Sequence, residues 1–387
     1  MKNEDQPSVK RRKYEKVIAS SCNLMEKVDS QSNSDDTKTV LPKQRSWNLT
    51  AVLGDEYKPC VGALKLVDSV ACVLVDKKHA SAVLKFLHEN YPFTGLQHVK
   101  RMRKVTTQSG CYLQVLVFVS ARHAHEVELV KSCIHDNKNP LLDLDAFKMV
   151  KSYLSKVEIV QVPSAIPLTR EQFNLGKQYW PISFHENKSI TQLVDCSLFT
   201  EADYRVIECH METAIQTAKS ANNLQPAENV GVVVVDSKTN TVIATTFDLR
   251  NIPCEITTGV NVAHPLNHAV MVAIDLVAHT QGGGCYTYSN LLKEKPGEGL
   301  YFELLSSKNT EKDKSSYICT DLTLYVTREP CVMCCMALLH SRIKRVFYGV
   351  ECQRGGFGSA YKLNAMKELN HRFVVFKGVL ENKCAKL

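Results

Sequence analysis

Residues 230–236 constrain the fold more than any other stretch of this chain. They read Val230, Gly231, four successive valines and Asp236. A strand turns successive side chains to opposite faces, so four valines in a row put apolar groups on both. Such a strand is stable only inside a sheet covered on both sides, and helices are the usual cover.

The neighbouring segments supply that setting. Residues 242–248 read as the partner of a hairpin around the turn at 237–240. Residues 267–280 and 331–341 carry apolar groups at helical spacing. Residues 322–327, 345–350 and 372–380 read as further strands. A helix is expected to begin near Thr200, with Asp203 three positions on approximating a capping box. Strands alternating with helices give an α/β class, a three-layer α/β/α sandwich with a mixed sheet.

An earlier β-α-β-β-α-β order precedes it. Strands are expected at 69–76, 96–105, 111–119 and 155–163, with helices at 77–91 and 121–134. That order is the α+β, ferredoxin-like pattern. The expected division is a polar, partly basic tail at 1–45, an N-terminal RNA-binding domain at 46–163, a linker at 164–168 between Pro163 and Pro167, and a second domain at 169–387. Within the second, 281–317 reads as an insertion loop, from Gly282-Gly283-Gly284 and the polar run after residue 307.

Composition excludes whole classes. At 44% hydrophobic and 23% charged residues over 387 positions, a mostly disordered chain is ruled out. The longest apolar runs, such as 71–75 and 232–235, fall far short of the roughly 20 residues that span a bilayer, so no membrane role is expected. The first residues lack the apolar stretch of an export signal, and an intracellular chain, nuclear and cytoplasmic, is expected. Lys10-Arg11-Arg12-Lys13 could serve nuclear import, or be a solvated cluster. Fifteen cysteines, an odd number, point to buried thiols and metal ligands rather than a disulfide framework. A net charge of +8 permits a nucleic-acid partner without demanding one.

The chemistry concentrates at two helix starts. One carries His268-Ala269-Val270 and the other Pro330-Cys331-Val332-Met333-Cys334. Two sulfurs spaced Cys-x-x-Cys at a helix start reach one ion, and the helix dipole favours a thiolate there. With one imidazole they make a three-ligand zinc set. A redox pair or plain burial are the competing readings. A redox pair would not need Pro330 in front or His268 at the head of another helix. Cys335 is read as core.

This pattern resembles the zinc nucleobase deaminases. Residues 330–346, 345–363 and 369–379 resemble deaminases acting on tRNA adenosine, and among them the non-catalytic kind of subunit found in the eukaryotic two-subunit enzymes. The likeness spans about residues 229–380. It implies Zn2+ on His268, Cys331 and Cys334. It also implies a heterodimer with a catalytic deaminase subunit, tRNA as the second partner, and adenosine-to-inosine conversion at anticodon position 34. An autonomous zinc-dependent nucleoside or cytidine deaminase is the alternative.

In the active members a glutamate stands two positions after the zinc histidine and carries the proton. Here that position is Val270, which cannot, so no catalytic residue is assigned to this chain. Glu255 and Glu351 are conceivable substitutes, and Cys384 or the Leu387 carboxylate conceivable fourth zinc donors. Met333, Met336, Leu338 and Leu339 could meet the partner, although each is read singly as core. For tRNA phosphates the densest basic stretch holds Lys100, Arg101, Arg103 and Lys104, with Arg101 and Arg103 expected on one strand face. Arg342, Lys344 and Arg345 are second candidates and Arg354 a third.

Overall fold

A computed structural model describes residues 45–57, 65–108, 110–121, 123–134, 149–256, 261–289, 291–302 and 317–387. The tail, its basic run and most of the polar half of the insertion lie outside the described residues. The chain divides into two compact units, residues 55–192 and the remainder. The division departs from the expected boundaries at two places. Residues 45–54 belong with the C-terminal unit, and 164–192 belong with the N-terminal one.

The first strand, β1 (Thr50–Ala51), is part of the C-terminal unit's sheet. The 55–192 unit follows as β2 (Leu66–Leu74), α1 (Ala80–Asn90), β3 (Met102–Thr107), β4 (Gly110–Val119), α2 (Ala124–Ile134), β5 (Leu154–Pro163) and α3 (Arg170–Tyr179). Its antiparallel sheet runs β3-β4-β2-β5, the ferredoxin-like order. Val83 and Leu87 of α1 and Val127 and Val130 of α2 pack on one face with Val70, Val115 and Val117. The opposite face does not stay bare. Ala71, Leu116 and Val162 meet Trp180 and Ile182 there, and Phe173 of α3 packs against them. That is why the expected linker is no boundary: the chain beyond it covers the sheet. Thr169 starts α3 by accepting from the Gln172 amide at 3.2 Å, and Gln172 Oε1 accepts from the Leu168 amide at 2.8 Å.

The strand expected at 96–105 begins only at Met102. Residues 96–101 form turns, with an isolated bridge from Val99 to Ile182.

The C-terminal unit continues with α4 (Glu201–Ser220), β6 (Gly231–Asp236), β7 (Val242–Phe247), β8 (Cys254–Ile256), β9 (Asn261–Val262), α5 (Ala269–Thr280), β10 (Tyr286–Thr287), β11 (Tyr301–Phe302), β12 (Leu322–Arg328), α6 (Val332–His340), β13 (Arg345–Val350) and β14 (Val374–Lys377). The main sheet runs β1-β14-β13-β12-β6-β7-β11. β12, β13 and β14 are mutually parallel and the other pairings antiparallel, so the sheet is mixed.

β6 is central and buried from Gly231 to Val235. Val232 and Val234 face the layer of α5 and α6, while Val233 and Val235 face α4. A Cβ on Gly231 would lie 1.9 Å from the Ala214 carbonyl of α4, so only glycine lets helix and sheet approach this closely. Thr200 and Asp203 close the capping box at the start of α4. The expected insertion loop is partly ordered into strands: β10 pairs with β8 and β11 extends the main sheet beside β7. Among the described residues no helix is long and apolar enough to cross a membrane.

Candidate metal centre and its cavity

His268 is the N-cap residue of α5 and Cys331 that of α6, with Cys334 in the first turn of α6. Both helices start at one edge of the sheet, where β7 and β12 hand over to loops. Open α/β sheets build their sites at such edges. The three donor atoms lie within 4.8 Å of one another. The Cys331 Sγ is 3.8 Å from the His268 Nδ1. Zinc–sulfur and zinc–nitrogen bonds at tetrahedral angles put such a pair about 3.6 Å apart. The donor set and its spacing therefore fit zinc. The neighbouring Cys334 thiol, with backbone amides of α6, holds the Cys331 thiol down at about 5, while Cys334 is pushed up by that same partner and by burial. Cys335 is buried, and its thiol donates to the Pro330 carbonyl at 3.3 Å. Every cysteine whose side chain is described is a free thiol.

The centre opens into a cavity of about 510 Å³. Val270 lines it and is only 3% exposed. Three carboxylates line it too, and each faces a partner other than the metal donors. Asp248 is 2% exposed, and both its oxygens accept from the Arg250 Nε, at 3.0 and 2.9 Å. Glu228 lies 3.3 Å from Arg250 Nη2 and 3.6 Å from Arg328 Nη1. Glu329, 3% exposed, faces the loop after β13. Its Oε1 accepts from the amides of Phe357 at 2.9 Å and Ser359 at 3.2 Å. Its Oε2 accepts from the Cys352 amide at 3.1 Å and from the Ser359 hydroxyl. A Cβ on Gly355 would lie 2.0 Å from the Glu329 carboxyl carbon, so glycine lets the loop wrap the carboxylate. This clamp fixes Gln353 and Arg354 at the cavity wall.

The other conceivable carboxylate and the tail donors lie elsewhere. Glu351 pairs with Lys377 and lines a different hollow. The Glu255 side chain is outside the described residues. Cys384 packs with Met211 and Phe347 on the α4 side of the sheet, away from the layer that holds Cys334. The Leu387 carbonyl accepts from Asn229 Nδ2 at 2.9 Å, and neither Leu387 nor Cys384 lines the cavity.

The basic candidates separate sharply. Arg101 is 7% exposed, not on a strand face turned to solvent. Its guanidinium donates to the carbonyls of Leu116 at 3.3 Å and Tyr91 at 2.5 Å and stacks 3.4 Å from the Phe93 ring. Burial pushes its pKa down to about 10. Arg103 donates to Gln114 Oε1 at 2.7 Å and the Tyr179 carbonyl at 3.1 Å and lies over Trp180. Arg103 ties the sheet to the segment that covers it, and Arg101 ties it to the turn after α1. Arg345 rests over Phe199 and Phe347, its pKa lowered by burial. Lys344 pairs with Asp321 at 3.7 Å, and Arg342 is exposed beside the Tyr317 ring. Lys100, Lys104 and Arg354 are exposed. Leu338 and Leu339 are core residues, whereas Met333 and Met336 are half-buried.

Sequence reasoning missed Glu228, Asp248, Arg250, Arg328 and Glu329. Arg328 and Glu329 end an apolar strand just before Pro330, and Asp248 and Arg250 follow β7. Charged groups at strand ends on the edge that carries the metal donors are a readable signal.

Residues 205–350 match the cytidine and deoxycytidylate deaminase zinc-binding region, and residues 67–180 the tRNA-specific adenosine deaminase TAD3 N-terminal domain. The chain is 39% identical over 345 residues to the probable inactive tRNA-specific adenosine deaminase-like protein 3 of Danio rerio, covering 88% of this chain and 94% of that protein. It is 36% identical over 350 residues to the Mus musculus protein of the same description, covering 88% and 92%. To the tRNA-specific adenosine deaminase subunit tad3 of Schizosaccharomyces pombe it is 28% identical over 316 residues, covering 80% and 82%.

Proposed function

From the premise that the chain belongs to the family of inactive tRNA-specific adenosine deaminase-like 3 proteins, we propose that it is the non-catalytic subunit of a tRNA adenosine deaminase. Adenosine at anticodon position 34 becomes inosine in a partner subunit that carries the proton-transferring glutamate.

The observation that carries this reading is the pairing of Val270 with the engaged carboxylates. A deaminase needs a group beside the centre that can take and return a proton. Val270 has none, Asp248 and Glu329 are buried in hydrogen bonds, and Glu228 lies between the guanidiniums of Arg250 and Arg328. The same fact speaks against an autonomous nucleoside or cytidine deaminase.

Zinc held by His268, Cys331 and Cys334 supplies a cross-link between the starts of α5 and α6, coupling metal binding to folding. The partner packs against the α6 side, where Val332, Met333 and Met336 offer apolar surface. Contacts to the tRNA backbone come from Lys100, Lys104 and Arg354, because the buried arginines are occupied within their own unit. The basic run at 10–13 serves entry to the nucleus of a protein that also works in the cytoplasm.

The test is to purify this chain, the catalytic subunit and their co-expressed complex, and to measure zinc content and inosine in transcribed tRNA. Inosine is expected from the complex at rates well above either chain. Inosine from this chain alone would overturn the proposal.

A further inference from the structure

We propose that the mouth of the cavity is a seat for a phosphoryl group, built by the guanidiniums of Arg250, Arg328 and Arg354 and held in the resting chain by Glu228 as an internal counter-ion. Only the polynucleotide form of this ligand rests on the tRNA reading above.

The geometry of Glu228 is the starting point. A single oxygen, Oε2, serves both Arg250 at 3.3 Å and Arg328 at 3.6 Å. Charge-assisted N–H···O bonds run at about 2.7–2.9 Å, so both pairings are loose. Arg250 Nη2 is buried and makes no hydrogen bond there. The Glu228 side chain is half-exposed and can swing away. One carboxylate oxygen is thus stretched between two forks that each accept a bidentate partner.

The Arg250 fork is fixed by its side chain and the other two are anchored through their backbone. Asp248 grips the Nε of Arg250 with both oxygens, and the buried Nη2 lies behind Glu228 in the cavity wall. Arg328 ends β12, and Arg354 rides the loop clamped by Glu329. Among the described residues Arg354 has no acidic partner. A phosphomonoester has three free oxygens and a phosphodiester two to share among the three guanidiniums, where Glu228 spends one on two. The starts of α5 and α6 border the same cavity and add the positive ends of two helix dipoles.

The ligand is a phosphodiester of the tRNA backbone or a free phosphomonoester, and one experiment separates them. The full zinc-loaded chain is titrated with adenosine 5′-monophosphate by calorimetry and with tRNA by filter binding across a salt series. Glu228→Gln removes the internal competitor and is expected to tighten the responding ligand ~3–10-fold. Arg328→Gln and Arg354→Gln are expected to weaken it ~10-fold, and for tRNA to lower the salt slope by roughly 0.7–0.9 for each phosphate no longer neutralised. Opposite signs from residues of one cavity do not arise from unfolding, which Trp47 fluorescence also monitors. A response of the mononucleotide supports the free phosphomonoester, and a response of tRNA alone the phosphodiester. The seat is overturned if neither ligand responds, or if Glu228→Gln weakens binding as the arginine variants do. In the first of these outcomes, tRNA binding unchanged by all three variants leaves the subunit reading intact.

Discussion

Replacing Glu329 by Gln isolates the clamp that holds the loop beside the metal centre. The carboxylate accepts from three backbone amides and one hydroxyl. With the amide group on the Oε2 side, Oε1 keeps Phe357 and Ser359, and the Ser359 hydroxyl can turn to accept. The Cys352 amide then faces a donor and loses its acceptor. The reversed amide deprives two backbone groups and is worse. One stranded donor costs about 1–3 kcal/mol, and the surviving bonds lose charge assistance, so the variant is expected to be about 2–4 kcal/mol less stable. With an m-value of about 2 kcal/mol/M, the urea midpoint falls by roughly 1–2 M. The chain has two tryptophans, Trp47 in the C-terminal unit and Trp180 in the other, both buried. In a Trp180→Phe background, Trp47 alone reports the unit that contains Glu329. A midpoint within about 0.2 M of the parent at equal zinc would refute the clamp.

Chelation should lower the Trp47 midpoint, and His268→Ala should abolish the sensitivity to chelator; a transition indifferent to chelator in the parent chain would count against zinc as a cross-link. Arg101→Ala strands the carbonyls of Tyr91, Leu116 and Val117 and should destabilise the 55–192 unit by about 3 kcal/mol, read by Trp180, with no change in the salt slope of tRNA binding. His210 is buried beside Asn240, and burial lowers its pKa. The folded chain therefore binds its proton less readily than the unfolded one. The stabilisation is present above the ordinary histidine value of about 6.5 and is lost as pH falls below it, by at most ~1.4 kcal/mol per pH unit. Denaturation at pH 5.0 and 7.5 should show that loss, and His210→Gln should flatten it.

What could be read in advance was local. Four valines in a row dictated a strand buried on both faces, and β6 is one. Thr200 and Asp203 marked a helix start because a capping box is closed within four residues. His268, Cys331 and Cys334 were legible because helix starts gather ligands from short motifs. The fate of a guanidinium was not legible in that way. Arg101 and Arg103 look like any surface cations in sequence, and what absorbs them, Phe93 and Trp180, is brought there only by the tertiary fold. Glu329 likewise reads as one more acid until the loop after β13 closes on it. β1 is two residues long, too short to show a period, so its membership of a distant sheet left no trace.

That short strand also sets an order of events during synthesis. Thr50 pairs with Lys377, 327 positions later. A ribosome adding roughly 5–20 residues per second leaves β1 waiting some tens of seconds for β14 to emerge. The ferredoxin-like unit is complete in the tunnel's wake well before then. The outermost ladder of the large sheet can therefore close only after residues 374–377 have emerged, and a nascent chain stalled before β14 exposes the edge of β13 to whatever strand drifts by.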